Sequence, residues 1–199
     1  MMLRYETDRL IVRRPNVADL GDYLAFRNHP QNLSMQPADP ATPDRASALL
    51  ARQAEMPVGV ENIWVMLAVE LKGEHRMIGE VGVFLFDKTA SLGNLGWIIH
   101  ADFQQRGYAH EAVQTLFHYV FDVEGLRRVT GNCPTYNDAS FRLMEKLGMR
   151  REAHMRQSRQ WKGDWFDEYA YALLRDEWQS PEKPLVVNAF DGGQAQNND

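Results

Sequence analysis

Apolar and polar positions along the chain follow two periods in a definite order. "RLIVRRP" (Arg9–Pro15) alternates apolar and basic residues, which predicts a short strand ended by a proline. Asn16 then stands where a helix cap belongs, ahead of an apolar side made by Leu20, Tyr23, Leu24 and Phe26. Residues 28–43, "NHPQNLSMQPADPATP", hold four prolines and read mostly as loop. A second helix is expected from about Asp44 to Gln53. Three strand runs follow: Ile63–Leu71 and Met77–Phe86, joined by the hairpin connection "KGEHR", and then Leu92–His100. The pattern returns to a helical period over Ala112–Phe121, to a strand over Arg127–Asn132 and to a helix over Ala139–Met149. In that last helix Leu143, Met144 and Leu147 share a face, and Gly148 sits where a left-handed C-terminal cap belongs. Arg150–Trp161 and Trp165–Trp178 pair as a hairpin turned by "KGD" at Lys162–Asp164.

This order predicts one α+β domain, residues 1–178, on a central mixed, mainly antiparallel sheet. The helix between Leu92–His100 and Arg127–Asn132 implies that those two strands run parallel. Residues 179–199 are expected to be a mobile extension, because the last nine are polar and glycine-rich. Within it "LVVNAF" (Leu185–Phe190) is an apolar island suited to docking on the domain or a partner.

Charge and cysteine usage narrow the class. The 22 basic and 27 acidic residues leave a formal charge of -5, so neither nucleic acid nor an anionic membrane is the expected partner, and a cationic substrate is weakly favoured. The lone cysteine, Cys133, excludes an internal disulfide and fits a reducing cytoplasm. It lies in "GNCPTYN" without a histidine nearby and reads as a structural thiol rather than a nucleophile. The first residues lack the apolar core of a signal peptide, and no apolar run reaches the ~20 residues of a membrane span. A cytoplasmic protein, monomer or homodimer, is expected, with no metal site.

The most informative stretch is "FQQRGYAHEA" (Phe103–Ala112), where a strand hands over to a helix. No acidic residue occurs from Phe103 to His110. A helix N-terminus leaves backbone N–H groups unpartnered and carries partial positive charge, so it holds anions. Gly107 permits close approach and Ala109 is small, while Gln105 and Arg106 can add side-chain contacts. The turn suits a phosphate or pyrophosphate; an ordinary strand-to-helix turn with one glycine is the other reading. Neither G-x-x-x-x-G-K-[ST] nor a G-x-G-x-x-G that opens a βαβ unit is present.

Gln104-x-x-Gly107-x-Ala109 resembles the Q/R-x-x-G-x-G/A signature of the GNAT acetyltransferases. "TDRLIVRRPNVADLGDYLAF" resembles the T-E-R-L-x-L-R start of the RimJ/RimL-like branch, which acetylates ribosomal-protein N-termini. "MIGEVGVF", "NDASFRLMEKLGM" and "GDWFDEYAYALLRDEW" resemble later segments of that branch in the same order, so the likeness runs from Thr7 to Trp178. The resemblance implies a GNAT fold with helices on both sheet faces, and two central strands that splay apart, the first distorted by a bulge. It implies acetyl-CoA as acetyl donor, its arm paired with backbone groups of Trp97, Ile98 and Ile99. The pyrophosphate would rest on Gln105, Arg106, Gly107, Tyr108, Ala109 and His110. Asn137 and Ser140 are helix-capping types by themselves. The resemblance has Asn137 bind the cofactor arm and Ser140 protonate the departing thiolate. In "RVTGNCPTYN", glycine and proline replace the apolar residues usual in the family, which bears on the local strand geometry and on any role of Asn132.

The implied reaction is direct attack of a neutral primary amine, from a protein N-terminus or a small molecule, on the thioester in a ternary complex. The N–H of Ile99 would polarise the carbonyl. Asp167, which matches the family's aspartate, is the leading candidate base, ahead of Glu168, Glu80 and His100. A non-catalytic acyl-CoA sensor or scaffold is the alternative. "WKGDWFDEYAY" can pack in the core or line an acceptor pocket.

Overall fold

The computed structural model describes residues 3–57, 59–89, 91–179 and 186–187. A strand the periodicity did not announce, β1 (Arg4–Glu6), precedes β2 (Leu10–Arg13) and pairs with it. Asn16 caps as expected: its side chain accepts from Ala18 N and Asp19 reaches back to the Asn16 N–H, setting a 3₁₀ turn that runs into α1 (Leu20–Arg27). The proline-rich stretch is not all loop. Pro30, with its fixed φ, starts α2 (Pro30–Ser34), which His29 caps. Pro43 likewise starts α3 (Pro43–Glu55). Then come β3 (Trp64–Leu71), β4 (Arg76–Asp87), β5 (Leu92–Ile99), α4 (Tyr108–His118), β6 (Arg128–Pro134), α5 (Asp138–Lys146), β7 (Arg150–Trp161) and β8 (Asp164–Leu174).

Gly148, at φ 82°, ends α5 as expected, with its N–H on Glu145 O and the Met149 N–H on Met144 O. The last hairpin turns at Lys162 and Gly163, both at positive φ, with Trp161 paired to Asp164, a type I′ geometry that matches strand twist. Val186–Val187 forms β9 on the edge of β1, so this part of the apolar island pairs with the domain. The rest of the expected mobile extension lies outside the described residues.

The sheet order is β7-β8-β6-β5-β4-β3-β2-β1-β9, and β5–β6 is its parallel pair. Helices cover both faces, as the resemblance implied. On one face α4 buries Ala112, Val113, Leu116 and Phe117 against Val81, Val83, Leu95 and Val129. On the other, Tyr23, Phe26, Ala46 and Leu50 of α1 and α3 pack on Met66, Ala68 and Met77. The second helical cluster reaches β5 only through Ile98, and its members stop there.

The β5–β6 ladder holds only from Leu92–Arg128 to Asn94–Thr130, although β5 continues to Ile99 and β6 to Pro134. Two features of β6 account for the parting. A Cβ on Gly131 would lie 3.7 Å from the outer edge of the Trp97 ring and 3.0 Å from the Met144 sulfur, so Trp97 reaches across and occupies side-chain space on β6. Pro134 has no N–H to offer a ladder. The glycine and proline that depart from the family pattern are thus matched to Trp97 and to the gap. The bulge expected on β5 is not there: β4–β5 pairing is regular from Gly79–Ile99 to Leu85–Gly93. The extra residues lie on β4, at Ile78 and Phe86, where the register shifts against β3 and β5.

Candidate active site

The gap between β5 and β6 is lined by backbone that no strand ladder pairs. The His100 N–H donates to Ile78 O on β4. Strand alternation therefore turns the N–H and C=O of Trp97 and Ile99 the other way, past the last β5–β6 pair and into the gap. Ile98 turns its backbone to β4, where its oxygen lies 2.2 Å from the position a Gly79 Cβ would take. Of the three expected strand positions, Trp97 and Ile99 thus face the gap with their main chain, and Ile98 contributes its side chain to the opposite face.

Beyond Ile99 the chain makes a 3₁₀ turn capped by His100, and Gln105 (φ 60°) and Gly107 (φ 83°) carry it into α4. The first intrahelical bond runs from the Glu111 N–H to Gly107 O, and no side chain caps the helix. The N–H groups of Tyr108, Ala109 and His110 are therefore the helix's orphan donors, aimed out of its N-terminus. Burial and the nearby Lys146 hold the His110 imidazole below its ordinary pKa, so it is neutral there.

Gln104 works inward: its side-chain nitrogen donates to Ile99 O and Asn32 Oδ1, both at 2.9 Å. Buried Asn32 donates to Phe26 O and Ile99 O, so α2 is bolted to the end of β5. Arg106 lies over the Phe103 ring. Its carbonyl accepts from Arg9, whose guanidinium also pairs with Glu111 and stacks 4.5 Å from the Tyr108 ring centroid. Thr7 hydrogen-bonds the same Glu111 carboxylate. In the sequence Thr7 and Arg9 stand out only as part of a family-like segment; their partner lies about a hundred residues on, and no local signal names it.

Across the gap Asn137 caps α5, with Oδ1 accepting from the Ser140 N–H at 3.1 Å, while Nδ2 donates to Met35 O at 3.0 Å. The Ser140 hydroxyl is half-buried and makes no hydrogen bond among the described residues. Asn137 and Gln104 thus tie the segment 31–35 to both banks of the gap.

The carboxylates separate by face. Asp167 lies on the α5 side of β8. Its oxygens accept from the Gln157 N–H at 2.9 Å and from His154 Nε2 at 2.7 Å, and these bonds, the backbone one foremost, hold it below the usual carboxylate range. That makes it a weak base and a brace for the strained Gln157 (φ 47°) at the β7 irregularity. Its neighbour Glu168 points to the other face, as alternation requires. Glu80 is on that face too, buried against Arg27; desolvation pushes it up more than Arg27 pulls it down, and its Oε2 has no hydrogen-bond partner among the described residues. Burial lowers His100, and its Nδ1 is committed to the Asp102 N–H. Cys133 is buried, its thiol pushed up to about 11, which leaves it inert.

A strand gap beside an uncapped helix N-terminus, on this sheet, defines a class of acyl-transfer enzymes, and comparison with known proteins agrees. Residues 9–150 match the acetyltransferase (GNAT) domain family. The chain belongs to that family and is an N-acetyltransferase. It is 34% identical over 110 residues to the uncharacterized N-acetyltransferase YnaD of Bacillus subtilis, a match covering 55% of this chain and 64% of YnaD. An acetyltransferase of Bacillus anthracis superposes with a TM-score of 0.76 at 25% identity, covering 89% of this chain and 100% of the other. Two structures share the fold at lower identity. The ribosomal-protein-S5-alanine acetyltransferase of Vibrio fischeri has TM-score 0.76 and 21% identity, over 89% and 99% of the two chains. The microcin C7 self-immunity acetyltransferase MccE, in complex with acetyl-CoA and AMP, has TM-score 0.73 and 17% identity, over 84% and 93%.

Proposed function

We propose that the enzyme moves an acetyl group from acetyl-CoA to a primary amine, with both substrates bound at once, and that it is related to the RimJ/RimL-like branch. The observation that carries this reading is the set of orphan N–H groups on Tyr108, Ala109 and His110 beside the backbone of Trp97 and the N–H of Ile99, which lie past the last β5–β6 pair. Gly107, without a Cβ, leaves that turn open to a pyrophosphate, and Arg106 adds charge. Trp97 offers both N–H and C=O to the amides of the arm. When bound, acetyl-CoA supplies the activated acyl group.

The rest is work for this chain's own residues. The Ile99 N–H is directed into the gap, where it polarises a carbonyl oxygen. Ser140, with a free hydroxyl at the α5 N-terminus, protonates the departing sulfur. Asn137 holds the arm while fixing α5. Glu80, whose pKa is raised, takes the amine proton in place of Asp167, and Asp167 orients the hairpin that borders the acceptor. The order of events is attack of nitrogen on carbon, loss of a proton from nitrogen, and cleavage of the C–S bond with a proton going to sulfur.

Calorimetric titration with acetyl-CoA and CoA, together with thiol release across a panel of amines, tests the reading. Both nucleotides bind competitively, and thiol release depends on the amine. Glu80→Gln removes the acidic limb of the pH–rate profile, a limb lying above the ordinary carboxylate range. Unchanged CoA affinity in a folded Gly107→Val variant would overturn the placement of the pyrophosphate.

A further inference from the structure

The face opposite α4 and α5 is only half covered. α1 and α3 pack over β3 and β4, and their cluster reaches no farther than Ile98 on β5. Thr130, Asn132, Glu168, Ala170 and Ala172 share that face on β6 and β8 by register: Thr130 pairs with Ala172, Asn132 with Ala170 and Pro134 with Glu168. Small side chains floor this half.

Glu80 and Glu168 stand level on either side of the gap. Asn94 pairs with Thr130; four residues farther along each strand come Ile98 and Pro134, whose outer neighbours are Glu80 and Glu168. The two residues are only 6% and 8% exposed. Glu80 Oε2 has no hydrogen-bond partner among the described residues. Glu168 Oε2 accepts from Ser158 Oγ at 3.0 Å, but the nearest cation to Oε1 is Arg159 Nη1 at 3.7 Å, beyond hydrogen-bond length. Glu168 Oε1, unlike Glu80 Oε2, is not a buried orphan; it is reachable from solvent, so a ligand ammonium can sit on it at hydrogen-bond length, closer than Arg159 does. The Arg159 side chain is half exposed and able to swing out to water.

We propose that Glu168 selects the acceptor, and that the acceptor is a small aliphatic diamine: one nitrogen attacked at the gap, the second held as an ammonium on Glu168. This rests on the acetyl-transfer reading and specifies its acceptor. The middle of the gap lies about one and a half strand spacings from β8, or about 7 Å, which a spacer of roughly four or five methylenes spans. The reacting nitrogen is uncharged and forms the C–N bond; its proton leaves as the C–S bond breaks and sulfur is protonated. The second nitrogen keeps its proton throughout. The net negative charge of the chain favours the approach of such a cation.

The test compares 1,5-diaminopentane with pentylamine at saturating acetyl-CoA, in wild type, Glu168→Gln and Arg159→Met. The diamine is expected to exceed the monoamine at least ten-fold in kcat/KM, well beyond the statistical factor of about two for its paired nitrogens, mostly through KM. In Glu168→Gln the ratio falls toward that statistical factor. In Arg159→Met, which removes the competing cation, the diamine KM falls several-fold. Equal kcat/KM for the two amines in wild type, or a preference that survives Glu168→Gln, overturns the proposal while acetyl transfer to pentylamine would still stand. Should Glu168→Gln not fold, an undiminished diamine KM in Ser158→Ala combined with no gain in Arg159→Met overturns it. Should no amine be acetylated, calorimetry of each amine into the CoA-saturated protein decides: selective binding of the diamine supports the Glu168 site and sinks the transfer reading, and no selectivity sinks the site.

Discussion

Arg9→Met probes the most distant support of the anion turn. Arg9 donates from Nε to Glu111 Oε2 at 2.7 Å and from Nη1 to Arg106 O at 2.9 Å, besides stacking on Tyr108. Its side chain is 45% exposed, so the loss in fold stability is modest, about 1 kcal/mol, or a fall in Tm of about 2–4 °C for a chain of this size. The larger effect falls on anion binding. Glu111 sits one helical turn, about 5.4 Å, inside the N-terminus that faces the pyrophosphate. With Arg9 gone its charge is uncompensated. At a separation of about 7 Å and an effective dielectric constant of about 40, each phosphate charge is opposed by about 1 kcal/mol. CoA affinity should therefore drop by about five- to thirty-fold, an effect that shrinks at high salt. The assay is calorimetric titration of CoA into wild type, Arg9→Met, and Arg9→Met combined with Glu111→Gln. Neutralising Glu111 removes the repulsion and restores affinity to within about two-fold of wild type. Wild-type affinity in Arg9→Met, or no recovery in the double variant, would refute an electrostatic role for the pair.

Ser140→Ala should lower kcat by about two orders of magnitude or more while acetyl-CoA binding stays nearly constant, as pre-steady-state and binding measurements together will show. Gly131→Val places a side chain against Met144 and Trp97 and is expected to destabilise by about 1–3 kcal/mol in urea unfolding, since the Met144 sulfur lies 3.0 Å from the new Cβ. Asp167→Asn should leave the acidic limb of the rate profile in place. Because the native carboxyl is held below its unfolded value, its stabilisation is present above the unfolded carboxylate pKa and lost as pH falls through the native one. The variant should accordingly be less stable than wild type at pH 7, with the difference closing in acid melts.

Local chemistry made much of the protein legible in its sequence. The Asn16 and Asn137 caps, the Gly148 stop, the Lys162–Gly163 turn and the Gly107 entry to α4 each depend on a φ value or a capping bond within a few residues, which neighbouring residue types encode. The order of strands and helices followed from periodicity, and with it the parallel crossover. α2 was missed because prolines at 30, 37, 40 and 43 mark a loop and a helix start alike, and only the bonds of Asn32 to Phe26 and Ile99 decide between them. β1 was missed because three residues are too few to show a period. Other features belong to the tertiary structure alone. Asp167 and Glu168 are adjacent and chemically alike in sequence, and only the strand's register shows that one braces β7 while the other faces the open half of the sheet. The gap depends on Trp97 meeting Gly131, and the anion turn on Arg9 meeting Glu111, contacts between segments far apart along the chain. A sequence pattern carries the conformation of a few successive residues; which distant side chains share a space is set only when the sheet has closed.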